Sequence, residues 1–143
     1  MISSWVNSKF EESKKLDHTS AVQKYNFLNK KFPNQVALLH GKTDIKNKEK
    51  ILNNFLKKDF KILVSTTIIE VGIDFPNANV IVIENANKFG LSQLHQLRGR
   101  VGRGENQGTC ILLFKEGLSK NAIKRIRILK NSDDGFYIAE EDL

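Results

Sequence analysis

The chain has 143 residues, with 23 Lys and Arg against 16 Asp and Glu for a formal charge of +7, and a single cysteine. That is one domain's length, enough to bury roughly two thirds of the unfolded surface, and the basic balance favours an anionic partner. Cys110, inside the apolar run TCILLF, excludes an internal disulfide and reads as a buried thiol in a reducing compartment, while His18, His40 and His95 are too scattered for a metal-ligand set.

In chain order, ISSWV (2–6) reads as a strand and DHTSAVQKYNFLNKKF (17–32) as a helix. QVALLH (35–40) is the next strand and KNKEKILNNFLKK (46–58) the next helix. KILVS (61–65) and NVIVIE (79–84) are strands joined by a long connection; then come a helix over LSQLHQLRGRV (91–101) and a strand over TCILLF (109–114). A last helix is predicted over SKNAIKRIRILK (119–130), with Ser119 as cap and Ala122, Ile123, Ile126 and Leu129 turned inward. Its basic face reads as solvated, so Arg125 and Arg127 are expected to tolerate lysine. The strand runs are continuous rather than alternating, which suits strands covered on both faces of a parallel sheet, and their alternation with helices predicts an α/β sheet with helices on both sides. No apolar stretch approaches the roughly 18 residues that span a bilayer and no signal-peptide pattern opens the chain, so no membrane partner and a cytoplasmic location are expected.

In such sheets ligands sit at the carboxyl ends of the strands, so chemistry is sought in the loops there. After QVALLH comes GKTDIKNK, in which Gly41-Lys42-Thr43 suggests a phosphate loop; the full pattern needs a second glycine at position 36, which is Val36, so it is not one. After KILVS comes TTIIEVGIDFPNAN. Thr66 and Thr67 can donate hydroxyls to phosphate, Gly72 permits close backbone approach, and Asp74 offers two acceptors for a ribose hydroxyl pair. The plainer alternative makes the threonines caps of a short helix, Gly72 its end and Asp74 part of a turn.

The most informative run is QLHQLRGRVGRG, Gln93 to Gly104, which places three of the chain's five arginines within six residues. Lysine would serve a general need for positive charge. Arg98, Arg100 and Arg103 therefore read as selected for the guanidinium, a planar fork that matches phosphate oxygens. With Ser92 as helix cap, Gln96, Arg100 and Arg103 would share one helical face, opposite Leu94, Leu97 and Val101. A solvated basic face is the alternative, but Gly99 and Gly102 each cost about 1 kcal/mol of helix stability and need a reason, such as close approach to a ligand. The glycines close a helix instead of opening one, which argues against a dinucleotide fingerprint.

QLRGRVGR (96–103) resembles the last conserved motif of superfamily-two helicases, Q-x-x-G-R-x-G-R, and the similarity extends upstream through ILVSTTIIEVGIDFPNANVIVIENANKFGLSQLHQ. Within that superfamily the wording is most similar to RecG-type DNA helicases, over nearly all of the chain from about Trp5 to NSDDGFYIAEEDL. The resemblance implies a RecA-like three-layer α/β/α domain with a mainly parallel sheet over 1–143, the second motor domain of an ATP-dependent helicase that acts on forked or branched DNA in recombination and repair. It implies catalytic arginine fingers at Arg100 and Arg103, and nucleotide contacts from Gln96, Gly72 and Asp74. DNA-backbone contacts would come from Thr66, Thr67, His40, Gly41 and Lys48, although a solvated lysine on an ordinary turn is as good an account of Lys48. The chain lacks a phosphate loop and a D-E-x-H segment, so ATP with Mg would be shared with a first motor domain. Both ends look cut from a longer protein, and this chain alone is expected to be an inactive monomer. A transcription-repair coupling translocase shares most of this wording; IENANKFG and NSDDGFYIAEEDL favour RecG. A non-enzymatic nucleic-acid-binding module is the rival from another class.

Overall fold

A computed structural model describes residues 4–7, 14–66, 75–102 and 107–142. The elements are β1 (Ser4–Asn7), α1 (Lys14–Lys31), β2 (Val36–Leu39), α2 (Ile45–Leu56), β3 (Ile62–Ser65), β4 (Val80–Ile83), a short 3-10 turn (Ala86–Lys88), α3 (Leu91–Arg98), β5 (Thr109–Leu112), α4 (Lys120–Asn131) and α5 (Gly135–Asp142). The strands form one sheet in the order β2-β3-β1-β4-β5, every pairing parallel. Their carboxyl ends are level: Ser65 pairs with both Leu39 and Asn7, and Ile83 with both Asn7 and Leu112. A level edge gathers the loops that follow the strands along one side of the molecule.

Continuous apolar runs put alternate residues on opposite faces, and both faces of the central strands are covered. Val36, Ile62 and Val64 pack with Ala21, Tyr25 and Leu28 of α1. Ala37, Leu39, Leu63, Ile81 and Ile83 face the other way, onto Leu52 and Phe55 of α2, the Leu91, Leu94 and Leu97 stripe of α3, Leu129 of α4 and Ile138 of α5. Phe55 meets Phe75 edge to face, ring centroids 5.6 Å apart. Leu63 is completely buried, a position where truncation to alanine typically costs about 2–5 kcal/mol.

The expected α/β sheet with helices on both sides is therefore present, with four instructive departures. The helix expected over 91–101 ends at Arg98. At the sheet edge, β5 is covered on one side only: Cys110 and Leu112 pack on the main core, whereas Ile111 is 42% exposed, so its continuous apolar run does not mark a strand buried twice. On α4 the Ser119 cap is present, its Oγ accepting from the Ala122 N–H at 3.1 Å, and Leu129 is buried, but Ile123 is exposed and not turned inward. Finally, α5 follows from none of the predicted elements. Its single fully buried residue is Ile138, too little apolar periodicity to read, and its start depends on Asp134, whose carboxylate accepts from the Phe136 and Tyr137 N–H groups at 2.9 and 3.3 Å.

Candidate functional site

Two loops meet at the carboxyl edge of the sheet. The Thr66 N–H, first in the loop after β3, donates to the Leu39 carbonyl at the end of β2 at 3.1 Å, so Thr66 lies directly beside His40. The turn beyond His40 is closed on itself. The Thr43 N–H donates to the His40 carbonyl at 2.9 Å, the His40 N–H to Thr43 Oγ1 at 3.3 Å, and the Lys42 N–H to His40 Nδ1 at 3.2 Å. A nitrogen that accepts carries no proton, so the neutral His40 ring bears its N–H on Nε2. Asp44 then caps α2, one oxygen accepting from the Asn47 N–H at 2.9 Å and the other from its side-chain amide at 2.6 Å. The Asn47 N–H is the main influence holding the Asp44 carboxyl below its usual range. Gly41 and Lys42 stand exposed at this helix start, where the backbone dipole favours anions. Lys48 is half-buried, on the i, i+4, i+7 line of buried Leu52 and Phe55, so its stem is partly covered, as a lysine with its ammonium in water also allows.

The arginine segment is not helical throughout. With Gly99 as C-cap, its N–H donating to the His95 carbonyl at 3.1 Å, and the Arg100 N–H donating to the Leu97 carbonyl, the chain then leaves in an extended path. The expectation that Gln96 and Arg100 share a helical face is thus corrected: Gln96 is exposed on α3, Arg100 is half-buried beyond its end. The reason is a competing pairing. Val101 bridges Phe75 in parallel, the Phe75 N–H donates to the Arg100 carbonyl at 2.9 Å, and the Gly102 N–H donates to the Ala78 carbonyl at 3.1 Å. This pairing also sets the arginine segment against the end of the long loop after β3, because Phe75 directly follows Asp74. Thr67, Gly72, Asp74 and Arg103 lie outside the described residues.

Gly102 has a reason that needs no ligand. Its φ is +69°, in the left-handed region, and a Cβ there would lie 1.9 Å from the Gly108 nitrogen and 2.2 Å from its Cα. The two glycines touch backbone to backbone. Neighbouring carbonyls anchor both sides of this contact, Ala78 holding the Gly102 N–H and Asn79 the Thr109 N–H at 2.7 Å.

Arg98 also departs from expectation. Its guanidinium donates to the carbonyls of Leu129 and Ser132 at 2.6 and 3.1 Å, lies 2.8 Å from His95 Nδ1, and pairs with Asp133 at 3.1 Å. The planar fork is used, but on the last carbonyls of α4 rather than on phosphate. Arg125 is likewise engaged, its Nη2 donating to the Phe89 carbonyl at 2.9 Å and to Asp142 Oδ1 at 3.3 Å. The solvated reading of Arg125 is therefore corrected, whereas Arg127 is exposed as expected. Both bonds come from one nitrogen at the tip of the long arginine side chain, a point that the shorter lysine does not reach in the same geometry. Arg125→Lys should lower the stability of the chain by about 1 kcal/mol, seen as a lower thermal midpoint, with Arg127→Lys unchanged.

Sequence reasoning also missed Asp142. Its Oδ1 accepts from the Leu91 N–H at 2.9 Å and its Oδ2 from the Ser92 N–H at 3.1 Å, so the cap assigned to Ser92 is supplied from fifty residues away, with Gly90 as the N-cap residue. A capping partner that distant leaves no local spacing to read. Cys110 is half-buried; burial pushes its thiol up to about 11 against the opposing pull of Arg98, so it stays protonated at neutral pH. Among the described residues no three His, Cys, Asp or Glu side chains are grouped to hold a metal ion, and no helix is long and apolar enough to cross a membrane.

Over residues 9–105 the chain matches the family described as helicase conserved C-terminal domain. It is 54% identical over 135 residues to the ATP-dependent DNA helicase RecG of Synechocystis sp., which covers 93% of this chain and 16% of that protein. Against RecG of Bacillus subtilis the identity is 47% over 135 residues, covering 93% of this chain and 20% of that protein. The structure of RecG bound to a three-way DNA junction superposes with a TM-score of 0.81 at 42% identity, over 97% of this chain and 18% of that one. The C-terminal domain of the DEAD-box protein Dbp5, at 18% identity and a TM-score of 0.61 over 91% of this chain and 83% of that one, shares the fold. The chain thus spans no more than a fifth of the length of these RecG relatives, and its fold is the RecA-like three-layer α/β/α arrangement.

Proposed function

Because the chain belongs to the helicase conserved C-terminal domain family, we propose that it is the second RecA-like motor domain of a RecG-like ATP-dependent DNA helicase that acts on forked or branched DNA in recombination and repair. The observation that carries this reading is the pairing of Phe75 with the arginine segment, the Phe75 N–H meeting the Arg100 carbonyl at 2.9 Å. It ties the loop bearing Gly72 and Asp74 to the run bearing Arg100 and Arg103, on a scaffold similar to RecG.

On this reading ATP is a shared substrate. Arg100 and Arg103 face its γ-phosphate, Gln96 orders that site, Gly72 allows the backbone close, and Asp74 takes the ribose hydroxyls. As the phosphoryl group transfers, charge spreads over its oxygens, and fixed guanidinium groups stabilise that charge without reorganising. The sequence has no D-E-x-H segment to hold magnesium, so on this reading the ion is held by a first RecA-like domain of the same protein. The DNA backbone lies along Thr66, Thr67, His40, Gly41 and Lys48. The Thr66–Leu39 hydrogen bond supports this grouping, since it puts Thr66 next to His40. Closing the cleft on ATP then moves these DNA contacts relative to those of the first domain.

Residues 1–143 alone are expected to give no ATP turnover above background, with or without DNA, while the full-length protein hydrolyses ATP with DNA stimulation. Robust hydrolysis by the isolated chain would overturn the shared-site reading. The same chain should bind DNA weakly and without sequence preference, losing affinity steeply with salt, because phosphate contacts dominate such interfaces. Lys48→Glu should flatten that salt slope by roughly one unit. A salt-independent, sequence-specific complex would instead indicate a non-enzymatic binding module.

A further inference from the structure

We propose that Asp142 is a positioning residue for the arginine segment, acting through the N-terminus of α3; the proposal rests on the arginine-finger reading above. The first turn of any helix carries N–H groups without partners inside the helix, and the N-cap residue usually supplies an oxygen for them. Here the N-cap is Gly90, which has no side chain. The carboxylate of Asp142, at the end of α5, takes its place in bidentate fashion, with Oδ1 on the Leu91 N–H at 2.9 Å and Oδ2 on the Ser92 N–H at 3.1 Å. Gln93 Oε1 completes the turn by accepting from the Gly90 N–H at 3.1 Å.

The arrangement is specific to a carboxylate. A Cβ at Gly90 would stand 3.1 Å from Asp142 Oδ2, so glycine there keeps the space for it. Arg125 Nη2 lies 3.3 Å from Oδ1 while also gripping the Phe89 carbonyl at 2.9 Å, which fixes the carboxylate relative to the segment between the 3-10 turn and α3. Burial, the largest single influence on Asp142, acts to raise its pKa; the Leu91 and Ser92 N–H groups, the Ser92 side chain and Arg125 together outweigh it and hold the group below the usual carboxylate range. Asp142 is therefore charged at neutral pH, which also suits the positive end of the helix dipole.

Its effect reaches Arg100 through a short stiff rod. Eight residues of α3 span about 12 Å, and Arg100 stands two residues beyond the last of them. Arg98 holds the far end of α3 on the Leu129 and Ser132 carbonyls. With both ends held, α3 is clamped along its length; with the first end released, only its buried Leu91, Leu94 and Leu97 stripe and Arg98 still position it, and the guanidinium of Arg100 beyond it is placed less exactly. A misplacement of about 1 Å can cost on the order of a hundredfold in rate.

The test is steady-state ATPase of the full-length protein at saturating DNA, at a temperature below the melting onset of every variant. Asp142→Ala should lower kcat about tenfold, with the KM for ATP and the DNA affinity within about twofold. Asp142→Asn, which keeps one acceptor oxygen, should recover part of that loss. Ser119→Ala removes a comparable cap from α4, whose Oγ accepts from Ala122, and should lower the melting temperature while leaving kcat at the parental value. If Asp142→Ala and Asp142→Asn lower only the melting temperature, or if Ser119→Ala lowers kcat as much, Asp142 is a purely structural cap and the proposal fails. Arg103→Lys is run alongside: a parental rate there overturns the arginine reading itself, whereas an inactive Arg103→Lys beside fully active Asp142 variants overturns only the role given to Asp142.

Discussion

Arg103→Lys in the full-length protein should cut DNA-stimulated ATP turnover by at least about a hundredfold while leaving its thermal melting unchanged. Lysine keeps the charge but replaces a rigid planar fork with a single flexible ammonium, and an arginine finger contributes about 10³ to 10⁵ to turnover. Arg100→Lys should behave similarly, since the same reading gives its guanidinium the same task at the γ-phosphate. Arg98→Lys should show the opposite pattern. Its guanidinium donates to the Leu129 and Ser132 carbonyls and pairs with Asp133, so stability should fall and turnover should follow only as far as α3 is loosened. Equal kinetic losses at 98 and 103 with equal losses of stability would mean that the whole run is scaffold. ATP turnover by Arg103→Lys at the parental rate would remove the basis for a catalytic arginine.

Gly102→Ala should destabilise the chain by about 2–5 kcal/mol. Left-handed backbone costs a non-glycine residue about 1–2 kcal/mol, and relieving the 1.9 Å approach to the Gly108 nitrogen requires a backbone shift worth about 1–3 kcal/mol more. For a domain of this size that corresponds to a fall of roughly 10 °C in the thermal midpoint. Gly99→Ala provides the contrast. Its φ is −70° and an added Cβ would meet nothing closer than 3.5 Å, so it should melt near the parental temperature. If both substitutions are tolerated equally, the Gly102–Gly108 contact is not a constraint on the fold.

These two glycines illustrate how far the sequence alone makes the fold legible. The run QLRGRVGR identifies both as unusual, but sequence alone assigns their cost to an approaching ligand; the Gly108 backbone that fills the space beside Gly102 is six residues further on and has no pattern of its own. Continuous apolar runs were sufficient for all five strands, since covering a strand on two faces leaves an unbroken apolar run that is read without knowing its neighbours. They misled at β5, where Ile111 is exposed because an edge strand needs only one covered face. The arginines were legible as a group and not as individuals. Arg98 and Arg100 have the same chemistry two residues apart, and only the nearness of the α4 carbonyls assigns the first to structure. Asp142 and Arg125 act across the chain, and nothing in NSDDGFYIAEEDL announces a carboxylate that will cap a helix beginning at Leu91. Local capping was readable where it was local, as at Ser119.

The strand order has a consequence for the birth of the molecule. β1 is made first, yet it lies between β3 and β4 and pairs with no other strand. On the ribosome it therefore waits without a ladder partner until Ile62–Ser65 has emerged, and it keeps one open edge until Val80–Ile83 follows. At roughly 5–20 residues per second that wait lasts several seconds. The middle of the sheet thus closes only when β4 arrives, with β5 still to be added, and nascent chains stalled before Val80 present an unpaired strand edge to which a chaperone or a second nascent chain can bind.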